Sequence, residues 1–420
     1  MNVCIVGAGL LGLSTAYHLA RLGKEVCVVD RREGVGLETS FANGGMLHAS
    51  QAAPWNEPGI LTAALKMLGK EDAALLIRAK ALPGMLAWGM RFVHESRPER
   101  YALHLSKNAR LARYSIDVLR EVREATGIEY EQNNNGTIKL FRSDHVLQHA
   151  LNFTHRFDEL AIPYELLEVE KLIALEPALE PIKAELCGGM YFPSDEIGDA
   201  FLYCQALQKA CEQLGVQFEF NCGITGFEKR TGRLAAALHA NGGIAAEHFV
   251  LAGGSYSPKL ARELGIRLLI QPVKGYSLTA PVGSWPKPPK IAVIDEEMHA
   301  AVCPLGNRLR VAGTAEFAGY DLNLTNTRVR NLITLLQNLY PRYSEYMNEG
   351  ELKSWTGLRP MTPDGVGIMS GTKISNLFIN SGHGHLGWTM APGAGKALAD
   401  LIVKGQADIE MDDYSLGRFQ

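Results

Sequence analysis

The chain has 420 residues, 46% of them apolar and 21% charged, with a formal net charge of −3. This is an ordinary globular composition, long enough for two cores, and the slight negative balance gives no electrostatic case for nucleic acid. Its seven cysteines, an odd number with no C-x-x-C pair, argue against zinc and for reduced, structural thiols.

Val3 to Val6 is a short apolar run and predicts a strand. Gly7-Ala8-Gly9-Leu10-Leu11-Gly12 follows, then a helix to Leu22, then Glu25 to Val29 as a second strand ending in Asp30. Strand, glycine turn, helix, strand and acid form the βαβ unit that binds a dinucleotide. Gly7 permits the tight turn, Gly9 lets the backbone approach a pyrophosphate, and Gly12 lets the helix pack closely. The helix start at Leu10 and Leu11 offers unpaired N–H groups to phosphate. Asp30 stands where a carboxylate can accept hydrogen bonds from a ribose. The unit begins at residue 3, which leaves no room for a signal peptide and predicts a cytoplasmic protein. No apolar run reaches the roughly 18 residues that a membrane span requires.

Arg31 to Gly45 is polar and aperiodic. Ala73 to Val93 is rich in apolar residues, with Arg78, Lys80 and Arg91 interspersed. It reads as amphipathic helix packed on the protein's own core, or as a face lying on the inner surface of a membrane. Helical spacing recurs over 99–126 and 144–160, and 136–141 alternates as a strand. Asp199 to Leu214, then Val216 to Phe220 and His248 to Ala252 running into Gly253-Gly254, again look like parts of a nucleotide-binding sheet. Residues 273–313 are strand-rich, 325–339 are helical, and a last strand at Leu377 to Asn380 enters a glycine turn and a helix over 390–403. Nucleotide-type pieces therefore occur at the start, middle and end. The expected organisation is α/β. A Rossmann-type domain (1–60, 195–272 and 352–420) is interwoven with an α+β substrate domain on an antiparallel or mixed sheet (61–194 and 273–351).

One βαβ unit cannot separate a nicotinamide from a flavin cofactor. Two later features favour flavin. The loop from Glu38 to Met46 offers hydroxyls, an amide and exposed backbone. The unit Phe378 to Trp388 feeds glycines into a helix start that can aim N–H groups at an isoalloxazine edge, where reduced flavin is negative. These motifs, with Ala53-Pro54-Trp55, Lys274 to Leu278 and Trp355 to Gly365, resemble the D-amino-acid oxidase/glycine oxidase family of FAD-dependent oxidoreductases over essentially the whole chain. The pattern is most similar to its bacterial D-amino-acid dehydrogenases. The resemblance implies non-covalent FAD at Gly7, Gly9, Leu10, Leu11, Gly12, Asp30 and Arg31, and at Thr39, Ser40, Asn43, Gly44, Gly45 and Met46. It also implies contacts from Ile224, Gly253 and Gly254, and from Gly384, His385, Leu386, Gly387, Trp388 and Thr389.

For substrate, the resemblance implies that Arg359 pairs with an amino-acid carboxylate. A planar guanidinium suits that task, because two hydrogen bonds fix the orientation. Tyr276 is a candidate pocket hydroxyl and His48 a candidate pocket wall. His383 and His385, with no acids or cysteines beside them, are not read as a metal site. The implied reaction is oxidative deamination of a D-amino acid by hydride transfer from Cα to flavin N5. The imine then hydrolyses to a 2-oxo acid and ammonia, with electrons passing to a quinone or another carrier. Two alternatives stand beside it: an oxidase of glycine, sarcosine, D-proline or a related amine, and a non-catalytic dinucleotide-binding subunit.

Overall fold

Two sheets organise the computed structural model, which describes residues 2–60, 62, 75–152, 154–298 and 300–419. Among the described residues the first sheet has six strands, in the order Ile368–Gly371, Leu377–Ser381, His248–Leu251, Val3–Val6, Val26–Val29 and Gln217–Glu219. All neighbours run parallel except Ile368–Gly371, which is antiparallel at the edge. Strand alternation decides the faces. Val3 and Ile5 enter one core, with Leu13, Leu207 and Leu398. Cys4 and Val6 enter another, with Leu251, Leu264 and Ile379. Helices Leu10–Arg21, Ala200–Gln213 and Gly387–Lys404 cover the first face. The long helix Pro98–Thr126 packs over the last of these and sends Leu111, Val118 and Val122 into the same core.

The second sheet is mixed and has nine strands among the described residues. Its path runs Lys353–Met361, Gln271–Pro281, Arg308–Phe317, Ala300–Leu305, Ala292–Asp295, Thr137–Phe141, Gly188–Phe192 and Glu165–Leu167, with Leu75–Ile77 added beside Arg308–Phe317. Lys353–Met361 is hydrogen-bonded along its length to Gln271–Pro281. Residues 353–361, grouped by the sequence with the dinucleotide-binding pieces, are thus an edge strand of the substrate sheet. Their apolar pattern is compatible with either sheet, and only the ladder decides between them. Helix Asn326–Leu339 covers the back of this sheet, where Leu278, Val302, Val311 and Leu336 form its core.

The front of the second sheet faces the first domain and carries a bulge. The ladder between Gln271–Pro281 and Arg308–Phe317 slips by one residue at Gly275/Tyr276. The extra residue is Thr314, at a φ of 58°. A β-branched residue in the left-handed region costs roughly 1–3 kcal/mol and persists only where its surroundings impose it. The bulge also reverses the alternation. Before it, Ala312 faces forward and Val311 faces the back core; after it, Ala315 and Phe317 face forward and Glu316 backward.

The helix Leu82–Glu95 lies over the front face. It buries Met85 and Trp88 and leaves Leu82, Leu86 and Met90 exposed on its outer side. The packing of Met85 and Trp88 agrees with the reading of segment 73–93 as amphipathic helix on the protein's own core; Ala73 and Ala74 lie outside the described residues.

Candidate active site

A single cavity of about 1300 Å³ runs between the two sheets, from Asp30 and Ile224 at one end to Arg359 and Trp88 at the other. Pockets for one small ligand usually span about 300–1,000 Å³, so this one has room for a dinucleotide and a second molecule.

At one end of the cavity, Asp30 follows the second strand. Its Oδ2 accepts the Ala8 N–H at 2.7 Å and its Oδ1 the Arg32 N–H at 2.9 Å. Burial pushes its pKa up, opposed by those two N–H groups. Arg31 lies 3.7 Å over the Tyr256 ring and pairs with Glu38 at 2.5 Å. Glu38 also holds Arg32 at 2.7 Å, which fixes the loop. Gly253 and Gly254 line the middle of the cavity.

The turn before the first helix is built by exclusion of side chains. Gly7 adopts a φ of 118°, and a Cβ there would meet the Ala252 carbonyl at 2.6 Å. A Cβ on Gly12 would fall 1.8 Å from the Gly7 carbonyl, so Gly12 acts by packing and does not line the cavity. The helix starts at Gly9 with no side-chain cap and no acid in its first turn. Its field is left for an anion. Ser40 Oγ accepts the Leu10 N–H at 3.3 Å. Asn43, Gly44, Gly45 and Met46 continue the wall.

The far end is a second open helix start. Gly387–Lys404 begins with neither side-chain cap nor acid, and Gly384, His385, Gly387 and Trp388 line the cavity before it. Leu386 and Thr389, expected among the cofactor contacts, turn inward instead. Leu386 packs in the first core, and Thr389 Oγ1 accepts the His48 N–H at 3.2 Å. Helical rotation alternates the side chains here, and these two fall on the protein side. Two uncapped helix starts joined by a glycine-walled trough fit both halves of a flavin dinucleotide.

Arg359 lies on the cavity wall with no acidic partner among the described residues. Its Nη1 donates to the Thr314 carbonyl at 3.2 Å, and its Cζ lies 5.6 Å from the Trp55 ring, which stacks on His385. The guanidinium lies flat over Gly275: a Cβ there would sit 2.2 Å from Nη1 and 2.4 Å from Cζ. Burial pushes its pKa down to about 10. A half-buried cation without an acidic partner has lost part of its hydration, and a carboxylate ligand would make good that loss. The carbonyl of the preceding residue, Leu358, accepts the Thr39 hydroxyl at 2.8 Å and the Ser255 hydroxyl at 3.0 Å. The histidines stay neutral. Burial pushes His48 down to about 4, with the Lys139 charge adding to it. Burial, then the His48 and Arg359 charges, push His385 down to about 3.

Tyr276 does not offer its hydroxyl to this site. The phenol donates backward to Glu316 Oε2 at 2.6 Å and meets Thr325 Oγ1 at 3.2 Å. The reason is strand alternation. Gly275 and Ser277 face the cavity, so Tyr276 and Lys274 face the back. Lys274 is fully buried there and donates to the Asn323 carbonyl, not toward a flavin. Sequence reasoning missed the parts that hold Arg359. A glycine inside a strand, Gly275, is a signal of close approach, whereas nothing in the sequence marks Thr314.

Known proteins are similar to this chain in sequence and in fold. The sequence matches the family described as FAD dependent oxidoreductase over residues 2–401. It is 42% identical to a D-amino acid dehydrogenase of Methylobacterium radiotolerans, with 100% of both chains covered. It is 41% identical to one from Rhizobium rhizogenes, again over 100% of each. The L-proline dehydrogenase of P. horikoshii superposes with a TM-score of 0.78 at 18% identity, covering 100% of this chain and 97% of that one. Glycine oxidase from Bacillus cereus gives 0.76 at 19%, covering 98% and 97%. These two likenesses show the fold. The chain belongs to the FAD-dependent oxidoreductase family, and FAD is the cofactor that its cavity accommodates.

Proposed function

We propose that this protein oxidises D-amino acids to imines that hydrolyse to 2-oxo acids and ammonia, and that it passes the electrons to a quinone or another carrier. The observation that carries this reading is Arg359, a half-buried guanidinium on the cavity wall without an acidic partner among the described residues. Bound FAD supplies the hydride acceptor. Arg359 grips the substrate carboxylate through two charge-assisted hydrogen bonds and so fixes which Cα substituent faces the cofactor. His48 and His385, held neutral, add no positive charge near the substrate amine. The apolar walls at Trp55, Met85 and Trp88 disfavour an ammonium and favour the free amine, whose lone pair must assist as the hydride leaves. The full-length relatives named D-amino acid dehydrogenase support the D configuration and a carrier other than oxygen.

The carrier reading draws on the helix Leu82–Glu95. Leu82, Leu86 and Met90 are more than half exposed, at 53, 67 and 64%, on one stripe of that helix. Its other side lines the cavity through Met85, Trp88 and Phe92. An apolar carrier, or a membrane surface delivering one, fits that stripe.

The test is anaerobic mixing of the purified holoenzyme with matched D- and L-amino acids. Bleaching of the flavin by D-amino acids only, followed by reoxidation with a short-chain quinone faster than with oxygen, is expected. Preferential bleaching by L-amino acids, or fast peroxide release in air, would overturn it. Arg359→Lys should retain FAD and raise KM strongly; unchanged steady-state kinetics would defeat the assignment of Arg359.

A further inference from the structure

A charged pair, Lys139 and Glu296, stands at the cavity beside apolar neighbours on the second sheet. Lys139 is the central residue of Thr137–Phe141, and its neighbours Ile138 and Leu140 enter the back core. Alternation therefore turns Lys139 into the cavity, which it lines. Across the ladders it is flanked by Ile294 on one side and Met190 on the other, both cavity-lining and apolar. Its Nζ lies 3.0 Å from Glu296 Oε2. The Lys139 side chain keeps only 16% of its exposure and that of Glu296 34%.

The pair is held in place. Glu296 opens the turn after Ala292–Asp295, and Asp295 Oδ1 accepts the Met298 N–H of that turn at 3.1 Å. Glu297 Oε1 accepts the Arg142 N–H at 3.0 Å. Lys139 is within electrostatic reach of His48, and His385 is within reach of both His48 and Arg359. The lysine and the clamp thus belong to one chamber. Arg359 is anchored on the Thr314 carbonyl, three strands from Lys139. Three strand spacings come to roughly 14 Å. A lysine side chain covers part of that span, and a small amino acid with its hydrogen bonds covers the rest.

The pair's chemistry selects what it can meet. It offers an ammonium donor and a carboxylate acceptor side by side. A charged side chain would be drawn to one member of the pair and repelled by the other, and so gains little unless it breaks the pair. An apolar side chain would strip water from both groups and return nothing. A neutral group that both donates and accepts can bridge them without breaking the pair. Resting on the reading of the site given above, we propose that Lys139 and Glu296 form the side-chain subsite, and that the preferred substrates are D-amino acids bearing a hydroxyl or carboxamide.

The test compares near-isosteric substrates on the FAD-loaded enzyme: D-threonine against D-valine, and D-asparagine against D-leucine. The wild type should favour the polar member of each pair in kcat/KM. Lys139→Met and Glu296→Gln should each lower kcat/KM for the polar members by roughly ten- to a hundredfold, and leave the apolar members within about threefold. Lys139→Gln, which keeps a donor, should recover part of the loss. Flavin content and melting temperature show that each variant is folded. An equal fall on polar and apolar members, or a wild type that prefers the apolar ones, would overturn the subsite alone. A wild type whose flavin no D-amino acid reduces would overturn the function and the subsite with it.

Discussion

Replacing Gly275 by alanine adds one methyl group exactly under the proposed carboxylate clamp. The new Cβ would lie 2.2, 2.4 and 2.7 Å from Nη1, Cζ and Nη2 of Arg359, well inside any tolerable contact. Gly275 lies in a strand opposite the bulge and has no positive φ, so the backbone itself accepts alanine. In a strand interior alanine is even favoured over glycine by roughly 0.5–1 kcal/mol. The guanidinium must therefore move, giving up the Thr314 carbonyl and its aim at the substrate. Losing one charge-assisted hydrogen bond costs about 1.5–3 kcal/mol, or a fall of about ten- to 150-fold in kcat/KM. The assay is steady-state dye reduction across a range of D-amino acid concentrations, with flavin content and melting temperature measured in parallel. The expected result is a raised KM with FAD retained and a melting temperature unchanged or slightly higher. A KM equal to that of the wild type would refute the placement of Arg359 over Gly275 as the binding geometry.

Two further outcomes follow from the same geometry. Tyr276→Phe removes a back-face hydroxyl whose partner Glu316 keeps Arg78 at 2.7 Å. It should lower stability by about 1 kcal/mol in a denaturant titration and change kcat/KM less than about threefold; a hundredfold loss of activity would place the phenol at the substrate. Acid should destabilise the fold earlier than carboxylate titration alone predicts. Burial holds His18 and His383 down to about 3 and His48 to about 4, below the ordinary 6.5. Their stabilising contribution is complete above pH 6.5 and is lost as pH falls toward their folded values, by about 1.4 kcal/mol per unit for each. Asp195, pushed up to about 6 by burial, works in the opposite direction, because its contribution is lost as pH rises through 6. His385, also held down to about 3, adds to the histidine side, and Asp30 and Glu176, raised by burial, add to that of Asp195; the four histidines outweigh these carboxylates, so melting temperatures should drop between pH 6.5 and 5, and a flat or rising profile there would contradict the neutral burial of these histidines.

What could be read in the chain was what local rules dictate. Gly7 to Gly12 and Asp30 announce a nucleotide site because a turn, a close approach and a helix start each demand a residue type within one short segment. Arg359 could be singled out because its motif resembles that of related enzymes. The orientation of Tyr276 could not, since a strand's two faces are equivalent until one is buried, and the apolar back core claims the Tyr276 side. The inward turn of the Leu386 and Thr389 side chains was hidden for a similar reason: a helix start can be recognised, but the direction in which it turns each side chain depends on what it packs against. The bulge at Thr314 is beyond local reading altogether. Threonine avoids positive φ, so only the pairing of distant strands can force it there.

The Leu358 carbonyl has a consequence for how the two ligands sense each other. One peptide oxygen accepts hydroxyls from residues 39 and 255, which come from two separate stretches of the cofactor wall, and the next residue in the chain is the arginine. Ordering of those stretches around FAD therefore also orders the Arg359 backbone. By linkage the effect must run both ways with equal magnitude. A carboxylate ligand should bind the flavin-loaded protein more tightly than the apoprotein, and should strengthen flavin retention by the same factor.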